Sequence, residues 1–139
     1  MYSTHSILLI EFTVLQKDIL IPVPKMLKCV MSLRRIFEER KKKREIMQQN
    51  ALREARRLVP LLKERYEYDS IYLCGSILSN RFGSRSDIDI IIKGLKTDAF
   101  FKAYALLIKE STYRIDLKPF EDMTADFQSE VLTKGIKIG

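Results

Sequence analysis

Tryptophan is absent from the 139 residues, histidine occurs once and cysteine twice. Cys29 and Cys74 have neither metal-ligand nor Cys-x-x-Cys spacing, which sets aside a thiolate zinc site and reads as free thiols in a reducing, cytoplasmic protein. His5 reads as a polar residue near the terminus. No apolar run is long enough to cross a bilayer: "SILLIEFTVL", residues 6–15, is too short, and Glu11, Lys17 and Asp18 interrupt its surroundings. No basic n-region or small-residue cleavage site marks a signal peptide. Low-complexity tracts and internal repeats are missing too, and the length suits one domain with a modest core.

What is present begins with charge. The formal net charge is +7, and residues 31–66 alone hold twelve Lys/Arg against five Asp/Glu. The surplus therefore belongs to one expected helix and not to the chain at large. A solvated face is the ordinary explanation. The "RKKKR" run at 40–44 leaves contact with RNA or an acidic partner as a secondary reading.

Ser32 can cap a helix over 32–66, in which Leu33, Ile36, Phe37, Met47, Leu52, Ala55, Leu58 and Leu62 recur at helical spacing. Pro60 falls inside that pattern and predicts a kink or a division. Before it, "IPVP" at 21–24 reads as a break, so the ordered domain is expected to start near Met31, with residues 1–30 an appendage or a misassigned start. Short strands rich in β-branched and aromatic residues are expected at 71–74, 87–92 and 113–117. A helix capped by Thr97 or Asp98 lies between the last two. Another runs from about Thr124 to Lys134, ends at Gly135 and leaves "IKI" as a last strand. The fold class is α/β, or α+β if the sheet is mixed.

Within this frame "LCGSILSNRFGSRSDIDIIIKG", residues 73–94, is unusual. Side chains at i and i+2 of a strand share a face, so Asp87 and Asp89 stand side by side while Ile88 and Ile90 turn into a core. Two like charges there repel, and burial raises the cost. A bound divalent cation removes the objection, since Mg²⁺ takes oxygen ligands. Asp116, between Ile115 and Leu117, is a third acid in an apolar strand. If the two strands are neighbours, it completes a cluster able to hold two metal ions. On the other side, Gly75 permits a positive φ or a close backbone approach. Ser76 opens a short helical stretch whose hydroxyl and N–H groups suit a phosphate, and Arg81 can reach the same anion. Taken singly, each residue has a plain role open to it. Gly75 can be a turn glycine, Ser76 a cap, Asp87 a turn residue beside Ser86, and Asp116 a partner of Arg114 or Lys118. Cys74 reads as packing.

Gly-Ser, ten residues, then Asp-Ile-Asp forms a GS-x10-D-x-D pattern. With Asp116 downstream, it closely resembles the minimal nucleotidyltransferases of the DNA polymerase β superfamily over about residues 50–139. The resemblance implies a small mixed sheet packed against helices. It implies that Gly75 and Ser76 hold the triphosphate of ATP, that Asp87 and Asp89 bind two Mg²⁺ ions, and that Asp116 serves as third metal ligand or base. The family's basic residue in the excursion matches Arg81 loosely, and members commonly have Phe where Cys74 stands.

Antibiotic- and RNA-modifying relatives generally add an acceptor-binding domain, whereas little chain follows Asp116 here. The resemblance therefore points to antitoxins that add AMP to a tyrosine of a partner HEPN ribonuclease. The alternatives are a binding module that neutralises a toxin by stoichiometric capture, through the basic helix, and nucleotidyl transfer to a small molecule or RNA by a homodimer. No membrane association is expected.

Overall fold

The computed structural model describes residues 22–139. The "SILLIEFTVL" segment and His5 lie outside the described residues. The first helix, α1, spans Val23–Arg65 and so starts well before Ser32. Pro22, Val23 and Pro24 lead into this helix instead of preceding a break. Pro24 sits in the first turn, where a missing N–H has no helical partner to lose. The Pro22 carbonyl accepts from the N–H groups of Lys25 (2.8 Å) and Met26 (3.1 Å). Pro60 does not divide α1 either. Ala55, Leu58 and Leu62, on both sides of it, are all fully buried, and that packed face carries the helix through.

By contacts the chain forms two units, residues 1–39 and 40–139. The described part of the first is helical and exposes Leu27, Val30, Met31 and Phe37. Arg34–Glu38 (3.2 Å) and Arg35–Glu39 (3.0 Å) pair along its surface, each stabilising the helix by a few tenths of a kcal/mol.

The second unit contains a four-stranded mixed sheet in the order β3-β2-β1-β4. Its strands are β1 (Ser70–Cys74), β2 (Ile88–Lys93), β3 (Ile115–Pro119) and β4 (Ile136–Lys137). Strand β1 pairs antiparallel with β2 and β4, and β2 pairs parallel with β3 through the crossover helix α2, Thr97–Glu110. Neither Thr97 nor Asp98 caps α2; Lys96 is the N-cap residue and supplies no side-chain bond. Thr124 does cap the last helix, α3 (Ala125–Lys134), accepting from the Phe127 N–H.

Alternation along β2 sorts the sheet's two faces. Ile88, Ile90 and Ile92 join Ala51, Ala55, Leu58 and Leu62 of α1 and Ala103 and Leu107 of α2 in the main core. Ile91, on the opposite face, is buried with Phe120 and Val131 under α3. Asp89 belongs to this second face, which makes α3 its neighbour layer.

Glu54 joins α1 to the end of α2. It accepts two hydrogen bonds from Arg57, at 2.9 Å each, and one from the Thr112 N–H at 3.2 Å. Arg57 also donates to the last carbonyl of α2, Glu110 O, at 2.6 Å. The Arg57 guanidinium thereby holds the Glu54 carboxyl below the usual carboxylate range. A depressed folded value stabilises the fold above that range, and the contribution is lost as the pH falls through the folded value. Glu54→Gln is expected to lower stability by about 1 kcal/mol at neutral pH. Thermal melts from pH 7 to pH 3 should show the gap from wild type closing in acid; a gap independent of pH contradicts this role.

Candidate active site

Strand β1 stops at Cys74, and Gly75 turns the chain with φ +74°, in the left-handed region that glycine favours. Residues Gly75–Leu78 then form one 3-10 turn, the short helical stretch expected after the glycine. Three hydrogen bonds fasten it. Ser79 returns its N–H (3.0 Å) and hydroxyl (3.2 Å) to the Ser76 carbonyl. Gln48 of α1 donates to the Ile77 carbonyl at 2.6 Å. Gln48 went unnoticed in the sequence because its partner lies 29 residues away and is a backbone atom.

Register brings the Gly-Ser turn and the acids together. Cys74 lies opposite Asp89 across β1–β2, and Asp89 lies opposite Asp116 across β2–β3. A methyl group on Gly75 would collide with the Asp89 carboxylate. Glycine is thus required twice at this position, by its φ and by the carboxylate packed over it. Asp87 stands one residue before β2, at the same end of the sheet.

The acids carry partners of their own. The Lys118 ammonium lies 2.7 Å from Asp116 and 3.5 Å from Asp89, and Arg114 lies 3.0 Å from Asp87. The sequence left Asp116 open to either cation; Lys118 takes it, and Arg114 goes to Asp87. The Arg114 contact is close but not aligned, so Asp87 Oδ1 is buried without a hydrogen-bond partner. Burial pushes the Asp89 carboxyl above its ordinary range, with Asp116 and Asp87 adding to the shift and Lys118 opposing it. The Asp116 hydrogen bond lifts Lys118 in turn.

These features fit a divalent cation in donor chemistry. Carboxylates are juxtaposed in register, one oxygen is orphaned, and an ammonium already bridges two of the acids. They fit in pairs and not as a closed cage: among the described residues, no three His, Cys, Asp or Glu side chains stand close enough together to hold one ion.

Gly75, Ser76, Ser79 and Arg81 line a cavity of about 770 Å³ whose other wall is α3, through Phe127, Glu130 and Lys134. That wall was not foreseen. The capping threonine and helical periodicity of α3 were legible, but not its passage over the Gly-Ser turn. The ten-residue excursion is anchored by Ile77 and Phe82, both fully buried, and closed by a Gly83 N–H bond to the Ser86 hydroxyl at 3.0 Å. Ser86, not Asp87, is therefore the turn-forming side chain. Cys74 packs beside Tyr72 and Met123 against the second core cluster, where burial pushes its thiol up and away from reactivity.

The family model described as Polymerase beta, Nucleotidyltransferase matches residues 56–139, more than half of the chain. No curated protein matches it at a significant level. Among the described residues no helix is long and apolar enough to cross a membrane.

Proposed function

The chain belongs to the polymerase β nucleotidyltransferase family, and from that premise we propose that it moves AMP from ATP to a hydroxyl, most specifically a tyrosine of a partner HEPN ribonuclease, acting as an antitoxin. The observation that carries the site assignment is the register that sets Asp89 beside Asp116 and against Gly75. An acid pair suited to a cation and a glycine turn open to phosphate then share one end of the sheet.

In this reading the Gly75-Ser76 turn receives the triphosphate through its N–H groups and the Ser76 hydroxyl, and Arg81 meets it from the cavity wall. Asp87, Asp89 and Asp116 would hold Mg²⁺, in pairs as they stand and not as one closed set. When bound, the metal neutralises charge on the phosphates and lowers the cost of deprotonating the attacking hydroxyl. The tyrosine oxygen forms a bond to the α-phosphorus, the bond between that phosphorus and the bridging oxygen breaks, and pyrophosphate leaves. The phenolic proton passes to Asp116 or to solvent. Lys118 pairs with Asp89 and Asp116, and its ammonium would have to give way to a cation held by these acids. The protein's contribution is placement and charge neutralisation.

The test is transfer of label from α-³²P-ATP to a neighbouring-gene partner, a small helical protein with an R-x4-H-x-Y motif. Labelling should require Mg²⁺, stop with EDTA and stop in Asp87→Asn/Asp89→Asn. Neutralisation of the ribonuclease that survives EDTA undiminished, with no label on the partner, overturns transfer in favour of stoichiometric capture.

A further inference from the structure

Arg40, Lys43 and Arg44 lie on one face of α1 at i, i+3 and i+4, and Met47 follows at i+7. Opposite them the excursion between the Gly-Ser turn and Asp87 presents Arg81 and Arg85. These side chains, with Gly83, Ser84 and Ser86, line a groove of about 550 Å³. The run of basic residues is therefore not only a solvated face. Five cations from two distant segments converge on one concavity, and among the described residues no carboxylate pairs with any of them. Lys41, on another side of the helix, is the member of the run that finds a partner, Glu45, at 3.9 Å.

We infer that this groove binds the phosphate backbone of a single-stranded nucleic acid. Convergent like charges repel unless an anion joins them, and guanidinium forks with serine hydroxyls match phosphate oxygens. Met47 is the only apolar side chain in the lining, and no aromatic contributes. A protein partner would be expected to find an aromatic or clustered apolar anchor at the centre of its contact, and the lining offers Met47 alone, itself half-buried against the core. Lacking a stacking platform, the groove follows phosphates without reading bases, so binding is sequence-tolerant and salt-sensitive. Arg81 lines both this groove and the Gly-Ser cavity, which carries the strand past the mouth of the nucleotide site. This activity concerns binding and not transfer, and stands whichever acceptor the transfer reaction uses.

The experiment measures fluorescence anisotropy of a labelled 16-nucleotide single-stranded RNA with the full chain at low and moderate KCl. Arg40→Ala/Lys43→Ala/Arg44→Ala should weaken binding at least about tenfold and reduce the slope of log K against log salt by about 2, near 0.7 per lost phosphate contact. The same charge removed outside the groove, in Arg53→Ala/Arg56→Ala/Lys63→Ala, should change affinity less than about threefold. Equal losses in the two variants would reduce the effect to bulk charge and overturn the inference. So would absence of RNA binding by the wild type at low salt, or displacement of the RNA by poly-glutamate at equal charge concentration, which would mark an acidic protein surface instead.

Discussion

Asp89→Asn is expected to raise the melting temperature of the metal-free protein while removing its transferase activity. The Asp89 side chain is 26% exposed, and its carboxyl is lifted mainly by burial, then by its acidic neighbours. The charged form is thus held at a cost in the folded state. A raised folded value means that the cost is present above it and disappears as the pH falls and the carboxyl takes up its proton. Asparagine removes the charge in a nearly identical shape. Lys118 loses its 3.5 Å contact but keeps the 2.7 Å one to Asp116. A gain of up to about 1 kcal/mol, a few degrees in a domain of this size, should appear at neutral pH. The gap should narrow as the pH is lowered. Transfer should fall by on the order of 10³-fold, because in the proposed reading the cation that would neutralise transition-state charge loses a ligand. A variant that melts lower than wild type at neutral pH contradicts the assignment of Asp89 as a strained, function-bearing acid.

Gly75→Ala should damage both the fold and the site. Alanine at φ +74° costs about 1–2 kcal/mol through its backbone alone. The added Cβ also meets the Asp89 carboxylate, which must rotate away from its place over the turn to admit it. A destabilisation of about 2 kcal/mol or more and a loss of at least about 100-fold in transfer are expected, since small misplacements at a reacting centre are expensive. The control lies in the same excursion. A Cβ on Gly83 meets nothing within 4 Å, so Gly83→Ala should be neutral or slightly stabilising. Chemical denaturation of both variants separates the two cases; similar midpoints would remove the claim that Gly75 is fixed by Asp89.

The legible part of this molecule was its periodicity. The isoleucine run marked β2 and its two faces, the spacing of Gly75-Ser76 from Asp87 and Asp89 marked the candidate site, and Thr124 announced α3. Register was not legible, because pairing between distant strands leaves no trace in local pattern. That Asp89 faces Asp116 could only be made a condition. The start of α1 was misjudged because Pro22 and Pro24 read as breakers, although proline is tolerated in a first turn. Pro60 misled in the same direction: propensity argued for a kink or a division, and the buried Leu58–Leu62 face outweighed the division. Lys118, Gln48 and the α3 wall act through tertiary contacts to residues far along the chain. Of these, Lys118 alone was considered, as one of two possible partners for Asp116.

The most direct measurement is crystallography of the protein with Mn²⁺ and a nonhydrolysable ATP analogue in which carbon replaces the oxygen between the α- and β-phosphorus atoms. The account predicts anomalous manganese density against the carboxylates of Asp87 and Asp89, Lys118 displaced from Asp89, and the triphosphate on the Gly75-Ser76 turn. Manganese elsewhere, or a nucleotide bound away from that turn, would contradict it.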